Sequence, residues 1–124
     1  MKVISTEKAP AAIGPYSQGI IAGDFFFASG QIAIIPETGE LAEDNIVAQT
    51  EQVMKNIGGL LEAAGVSYDK VVKTGCFLAD MGDFATFNEI YAKHFTSSPA
   101  RSCVQAVLPK GAKVEIEVIA QIEK

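Results

Sequence analysis

The chain has 124 residues, a mass of 13.1 kDa and, with 10 Lys and Arg against 15 Asp and Glu, a net charge of −5. That length sets the expectation of one domain, residues 1–124, which buries roughly two-thirds of its unfolded surface. The acidic balance speaks against a nucleic-acid backbone as partner, because phosphates are neutralised by clustered Lys and Arg.

His94 is the only histidine, so metal sites built from several imidazoles are excluded and no metal is expected. Beside Phe95 on a helical pattern, His94 reads as a surface or packed residue. Cys76 and Cys103 form no CxxC pair and read as free thiols of a reducing compartment. The first residues lack the apolar run of a secretory leader, and no stretch approaches about 18 apolar residues. A cytoplasmic protein with no membrane partner is therefore expected. One figure stands out: 48% of residues are hydrophobic and 20% charged, which is apolar for so small a domain.

In chain order, the apolar runs 16–22 and 25–35 flank Gly23-Asp24, a two-residue hairpin signal. Pro36-Glu37-Thr38-Gly39 makes a turn. Apolar residues at helical spacing over 45–64 predict a helix, with Asp44 as its N-cap and Gly65 as its stop. Residues 71–78 read as a strand. A second amphipathic helix carries Phe84, Phe87, Ile90, Tyr91 and Phe95 on one face. Strands over 101–107 and 113–122 follow, joined through 108–112 and read as a closing hairpin. The predicted class is α+β, a mixed sheet with two helices on one face. The other face is left uncovered by anything in the chain.

The chemistry-bearing residues concentrate in the last two strands. Arg101, Cys103 and Gln105 share one face of the first, because side chains alternate with period two. In the second, Glu115 and Glu117 lie opposite to Val114, Ile116 and Val118. Paired as a hairpin, the strands would set Cys103 across from Glu115 or Glu117, with Arg101 diagonal to a carboxylate. An arginine suits a substrate carboxylate, and a glutamate suits proton transfer or water. An ordinary cross-strand ion pair accounts for the same pattern. Cys103 is a nucleophile only if a base or positive field activates it, and a buried inert thiol is the alternative. Ser29-Gly30 inside a strand marks a bulge or a close backbone approach to a ligand. Gly14-Pro15-Tyr16 is a rigid turn that delivers an aromatic hydroxyl.

Taken together, several segments resemble the RidA/YjgF family of reactive-intermediate (enamine/imine) deaminases. They are Ala9-Pro10-Ala11-Ala12-Ile13-Gly14-Pro15-Tyr16-Ser17-Gln18-Gly19, Ala28-Ser29-Gly30-Gln31-Ile32, Asp83-Phe84-Ala85-Thr86-Phe87-Asn88, Pro99-Ala100-Arg101-Ser102-Cys103-Val104 and Val114-Glu115-Ile116-Glu117-Val118-Ile119-Ala120. The resemblance spans essentially the whole chain. It implies a chorismate-mutase-like α+β fold assembling as a homotrimer, with active sites in clefts between subunits. It also implies cofactor-free hydrolysis of 2-aminoacrylate-type enamines and their imines, 2-iminopropanoate and 2-iminobutanoate, to 2-oxo acids and ammonia. On that resemblance Arg101 binds the substrate carboxylate and Glu115 positions or activates water. Cys103, Tyr16, Ser29, Gly30 and Asn88 line the pocket, Cys103 as a wall rather than a nucleophile. A non-catalytic 2-oxo acid-binding or regulatory protein using the same clefts is the competing reading. Two departures stand out. Residues 94–98 are shorter than in many relatives, and Val104-Gln105-Ala106-Val107 is one residue shorter than the usual pattern, which keeps Glu117 open as the water-activating acid.

Overall fold

Three short runs open the chain as a meander. β1 (Lys2–Ile4), β2 (Gly19–Ala22) and β3 (Phe25–Ala28) pair in sequence, each antiparallel to the next. Gly23, at φ 59°, makes the expected tight turn between β2 and β3. The computed structural model describes residues 1–122. β3 stops at Ala28, well short of the strand read from the sequence, and Ser29-Gly30 is the reason. Phe27 pairs with Ile119, whereas Gln31 pairs with Ile116, so the register slips by one residue across Ser29-Gly30. The chain bulges where a strand was expected to continue.

α1 (Ile46–Ala63) buries Val53, Met54, Ile57, Leu60 and Leu61 at helical spacing. Its N-cap is Asn45, whose side chain accepts the Ala48 N–H at 2.8 Å, not Asp44 as the sequence suggested. Asp44 instead lies 3.7 Å from the Lys113 ammonium. At the other end Gly65, at φ 81°, donates to Glu62 O and Val66 donates to Leu61 O, each at 3.0 Å. This is the left-handed closure expected of a glycine stop.

β4 (Val71–Leu78), α2 (Phe84–His94), β5 (Ala100–Gln105) and β6 (Val114–Gln121) complete one six-stranded sheet of order β1-β2-β3-β6-β4-β5. Both helices cover one face, as expected. The closing hairpin is not there. β5 runs parallel to β4, and β6 lies antiparallel on the other side of β4. The cause is the helix between β4 and β5: a strand–helix–strand crossover returns the chain in the same direction, so β5 must dock parallel. β5, with Arg, Ser and Gln, takes the sheet edge. β6 takes the centre and buries Val114, Ile116, Val118 and Ala120 beneath the helices.

The uncovered face is read across the strands as Val3, Ile20, Phe27, Ile119 and Lys73, which pair in one continuous row. Val3 is 57% exposed and Phe27 43%. The surplus apolar composition is thus partly placed on a sheet face that this chain leaves bare. Among the described residues no helix is long and apolar enough to cross a membrane.

The capping geometry separates two adjacent residues that the sequence could not. Asn45→Ala should cost about 1 kcal/mol of unfolding free energy. Asp44→Ala should cost only a few tenths, as exposed ion pairs do. Urea denaturation of the two variants checks this, and equal losses would contradict the assigned cap.

Candidate active site

β5 carries Arg101 on the face that meets α2. Arg101 pairs in register with Thr74 of β4, and Thr74 with Val118 of β6, so all three point toward the helices. The guanidinium donates from Nη1 to Asn88 Oδ1 at 2.7 Å. Its Cζ lies 4.7 Å from the Tyr91 ring centroid and 5.5 Å from that of Phe84. Asn88 and both rings come from α2, and among the described residues no carboxylate forms an ion pair with Arg101. An open cleft of about 470 Å³ lies alongside, lined by Asn88, Tyr91, Thr96, Ser98, Pro99 and Arg101. A cation held only by neutral groups beside open space is suited to an anion from outside the chain.

Cys103 sits two residues on from Arg101, in register with buried Cys76, and packs against the core. Burial pushes the Cys76 thiol up to about 12, and burial also raises that of Cys103, with Arg101 pulling the other way. Neither thiol is therefore poised as a thiolate at neutral pH.

Glu115 lies on the other side of the sheet, because it alternates with Val114 and Ile116, which face the helices. It lines a second cleft, of about 400 Å³, together with Tyr16, Gly30, Ile32, Ile34 and Lys110. Gly30 approaches so closely that an added Cβ would overlap the Glu115 carboxylate. Gly75 faces Glu117 in the same way, at 2.9 Å from Oε1 to the position such a Cβ would take. Tyr16 is 53% exposed, presented by the Gly14-Pro15 turn with Gly14 at φ 117°. The Ser29 hydroxyl donates to Ser17 O and its N–H to Gln18 O, so Ser29 braces the bulge from within.

Within one chain, then, Arg101, Cys103 and Asn88 gather on one side of the sheet and Glu115, Gly30 and Tyr16 on the other. The convergence of arginine, thiol and acid on one patch, which a hairpin would have produced, does not occur inside a single protomer. His94 packs at the surface, as its sequence context suggested: its Nε2 lies 3.2 Å from Glu51 Oε1 and its ring tilts over Tyr68 at 5.6 Å.

The family profile described as Endoribonuclease L-PSP matches residues 6–122. Over 98% of its length the chain is 56% identical to the chloroplastic Reactive Intermediate Deaminase A of Arabidopsis thaliana, of which it spans 66%. It is 51% identical to a 2-iminobutanoate/2-iminopropanoate deaminase of Mus musculus, covering 96% of this chain and 90% of the mouse protein. The chain belongs to the RidA/YjgF family. The fold agrees: the crystal structure of E. coli TdcF with bound serine superimposes with a TM-score of 0.93 at 42% identity, over 99% of this chain and 100% of TdcF.

Against this RidA/YjgF background, the residues that sequence reasoning passed over are Tyr91 and Phe84, read as core, and Lys110, read as loop. The signal for the first two was present. Phe84, Asn88 and Tyr91 fall at i, i+4 and i+7 of α2, one stripe of the helix.

Burial first, and then the like charge of Glu117, push the Glu115 carboxyl above the usual carboxylate range. Between the ordinary and the raised value the folded chain holds more protons than the unfolded one, so this group makes stability fall as pH rises through that window. Glu115→Gln should flatten that part of the stability–pH curve in urea denaturation at a series of pH values. An unchanged slope would contradict the raised carboxyl.

Proposed function

We propose that the protein is a cofactor-independent deaminase that hydrolyses 2-iminopropanoate and 2-iminobutanoate, with their enamine tautomers, to 2-oxo acids and ammonia. The observation that carries this reading is Arg101: a guanidinium without a carboxylate partner among the described residues, beside open space, in a chain about 50% identical to proteins named as 2-iminobutanoate/2-iminopropanoate deaminases. Arg101 binds the substrate carboxylate through its planar fork. Glu115, whose raised carboxyl exchanges a proton closer to neutral pH than an ordinary glutamate, takes a proton from water as the oxygen attacks the imine carbon. It returns that proton to the nitrogen, and as the carbon–nitrogen bond breaks and ammonia leaves, the hydroxyl proton passes to the freed carboxylate and the carbonyl forms. Positioning and one acid–base group suffice, because a protonated imine next to a carboxylate is already electrophilic.

The placement of Arg101 and Glu115 on opposite sides of the sheet supports a site built from two copies of the chain. The bare apolar row that includes Val3, Ile20 and Phe27 gives those copies a surface to bury. A homotrimer with three clefts, each taking the Arg101 half from one subunit and the Glu115 half from its neighbour, satisfies both demands. Gly30 and Tyr16 then accompany Glu115, and Asn88 and Cys103 accompany Arg101, with Cys103 as wall.

The serine bound in TdcF favours a second reading, a protein that binds small amino or oxo acids without turning them over. Tight binding of 2-oxobutanoate with no acceleration of imine hydrolysis would support it.

The decisive assay follows 2-oxobutanoate release from imine generated by a threonine dehydratase, with and without the purified protein. Arg101→Ala should lower the acceleration by at least about 100-fold, the loss expected when a charge-assisted contact to the substrate is removed. Cys103→Ala should stay within about threefold of wild type, since only packing is lost. Full activity in Arg101→Ala, or inactivity in a well-folded Cys103→Ala, would overturn those roles.

A further inference from the structure

The α2 stripe that meets Arg101 is more elaborate than a core contact requires. Tyr91 is 7% exposed, and its hydroxyl shares a 2.7 Å hydrogen bond with the hydroxyl of Thr74, which is fully buried in β4. Thr74 is the residue in register with Arg101 on the neighbouring strand. The Tyr91 ring is fixed again from behind by Phe95, at 4.4 Å between centroids, and by Phe87, at 5.7 Å. One face of this locked ring lies 4.7 Å from Cζ of Arg101, and Phe84 adds a second ring at 5.5 Å. Asn88, between them on the helix, accepts one N–H at the edge of the guanidinium. An arginine side chain has four rotatable bonds and loses considerable freedom when a ligand fixes it. A platform that already fixes its plane removes that cost before binding.

We infer that Tyr91, with Phe84 beside it, is a positioning residue: its Thr74-anchored ring sets the plane in which the Arg101 fork meets a carboxylate. The inference rests on the reading of Arg101 as the carboxylate-binding group. The aromatic face attracts the cation without neutralising it, as a carboxylate partner would. Asn88 leaves the remaining guanidinium N–H groups for the ligand.

The test measures binding rather than turnover. The dissociation constants of 2-oxobutanoate and of its uncharged amide, 2-oxobutanamide, are determined by calorimetry on the full chain. Tyr91→Leu should weaken the acid by about tenfold, the upper range of a cation–π contact, and leave the amide within about twofold. Tyr91→Phe, which keeps the ring but loses its Thr74 hydrogen bond, should weaken the acid less than Tyr91→Leu does. In an Arg101→Gln background, Tyr91→Leu should cause no further loss for the acid.

An unchanged acid affinity in Tyr91→Leu, or equal weakening of acid and amide, overturns the inference. If Arg101→Gln loses the acid while Tyr91→Leu keeps it, the carboxylate role of Arg101 stands and only the role of Tyr91 falls. If Arg101→Gln binds the acid like wild type, or if wild type binds no acid, the reading of Arg101 falls and takes this inference with it. Should Tyr91→Leu not fold, Phe84→Leu at the half-buried start of α2 carries the test. It should weaken the acid about threefold relative to the amide, and equal effects on both overturn the inference.

Discussion

The alternation of side chains along β6 governs everything around it. Once Val114, Ile116, Val118 and Ala120 are buried beneath α1 and α2, Glu115 and Glu117 have no choice but the opposite face. β4 is tied to β6 by a long antiparallel ladder and to β5 by a parallel one, so parity passes along the sheet from Val118 through Thr74 to Arg101. The cation therefore lands on the helix side as surely as the acid lands on the bare side. Neither placement is a local preference of Arg or Glu. Both follow from which residues the helices cover.

Most of the architecture was legible because it rests on periodicity. The apolar spacing over 45–64 and 84–95 marks two helices, and a strand read over 71–78 is β4 residue for residue. The closing strands misled because Pro109-Lys110-Gly111 resembles a hairpin turn, and a turn signal says nothing of which strand lies beside which. Two non-local facts decide that: α2 makes β4 and β5 parallel, and β5 is polar enough for an edge while β6 is apolar enough for a centre. The second was readable, since Arg101, Ser102 and Gln105 contrast with the unbroken apolar alternation of β6. The N-cap error has a simpler origin. Asp44 and Asn45 are both good caps, and only the backbone angle at Asn45, extended at φ −147°, selects one.

The site itself divided along the same line. Of the residues tied to motifs, Tyr16, Gly30 and Glu115 line one cleft and Asn88 the other, and this grouping into two clusters was hidden. Ser29-Gly30 was read as a bulge or a close approach to a ligand, and the register slips there, with the Ser29 hydroxyl held on the Ser17 backbone. Tyr91 was hidden for the opposite reason: an aromatic at helical spacing reads as core, and it is core on one side and a platform for Arg101 on the other. The short connection between Cys103 and Leu108 raised the question of whether Glu115 or Glu117 is the water-activating acid. Because β5 and β6 are not paired, that shortening shifts no register between them, and both glutamates share the bare face, Glu115 against Gly30 and Glu117 against Gly75.

The bare sheet face has a consequence for how such a protein fails. In the homotrimer proposed above, with the cation of each chain on one side of its sheet and the acid on the other, each copy would serve two sites at once. A copy damaged at either half would still lend its intact half across the opposite contact. In a mixed population, loss would then scale with contacts rather than with chains, and two differently crippled copies would restore some of what each lacks.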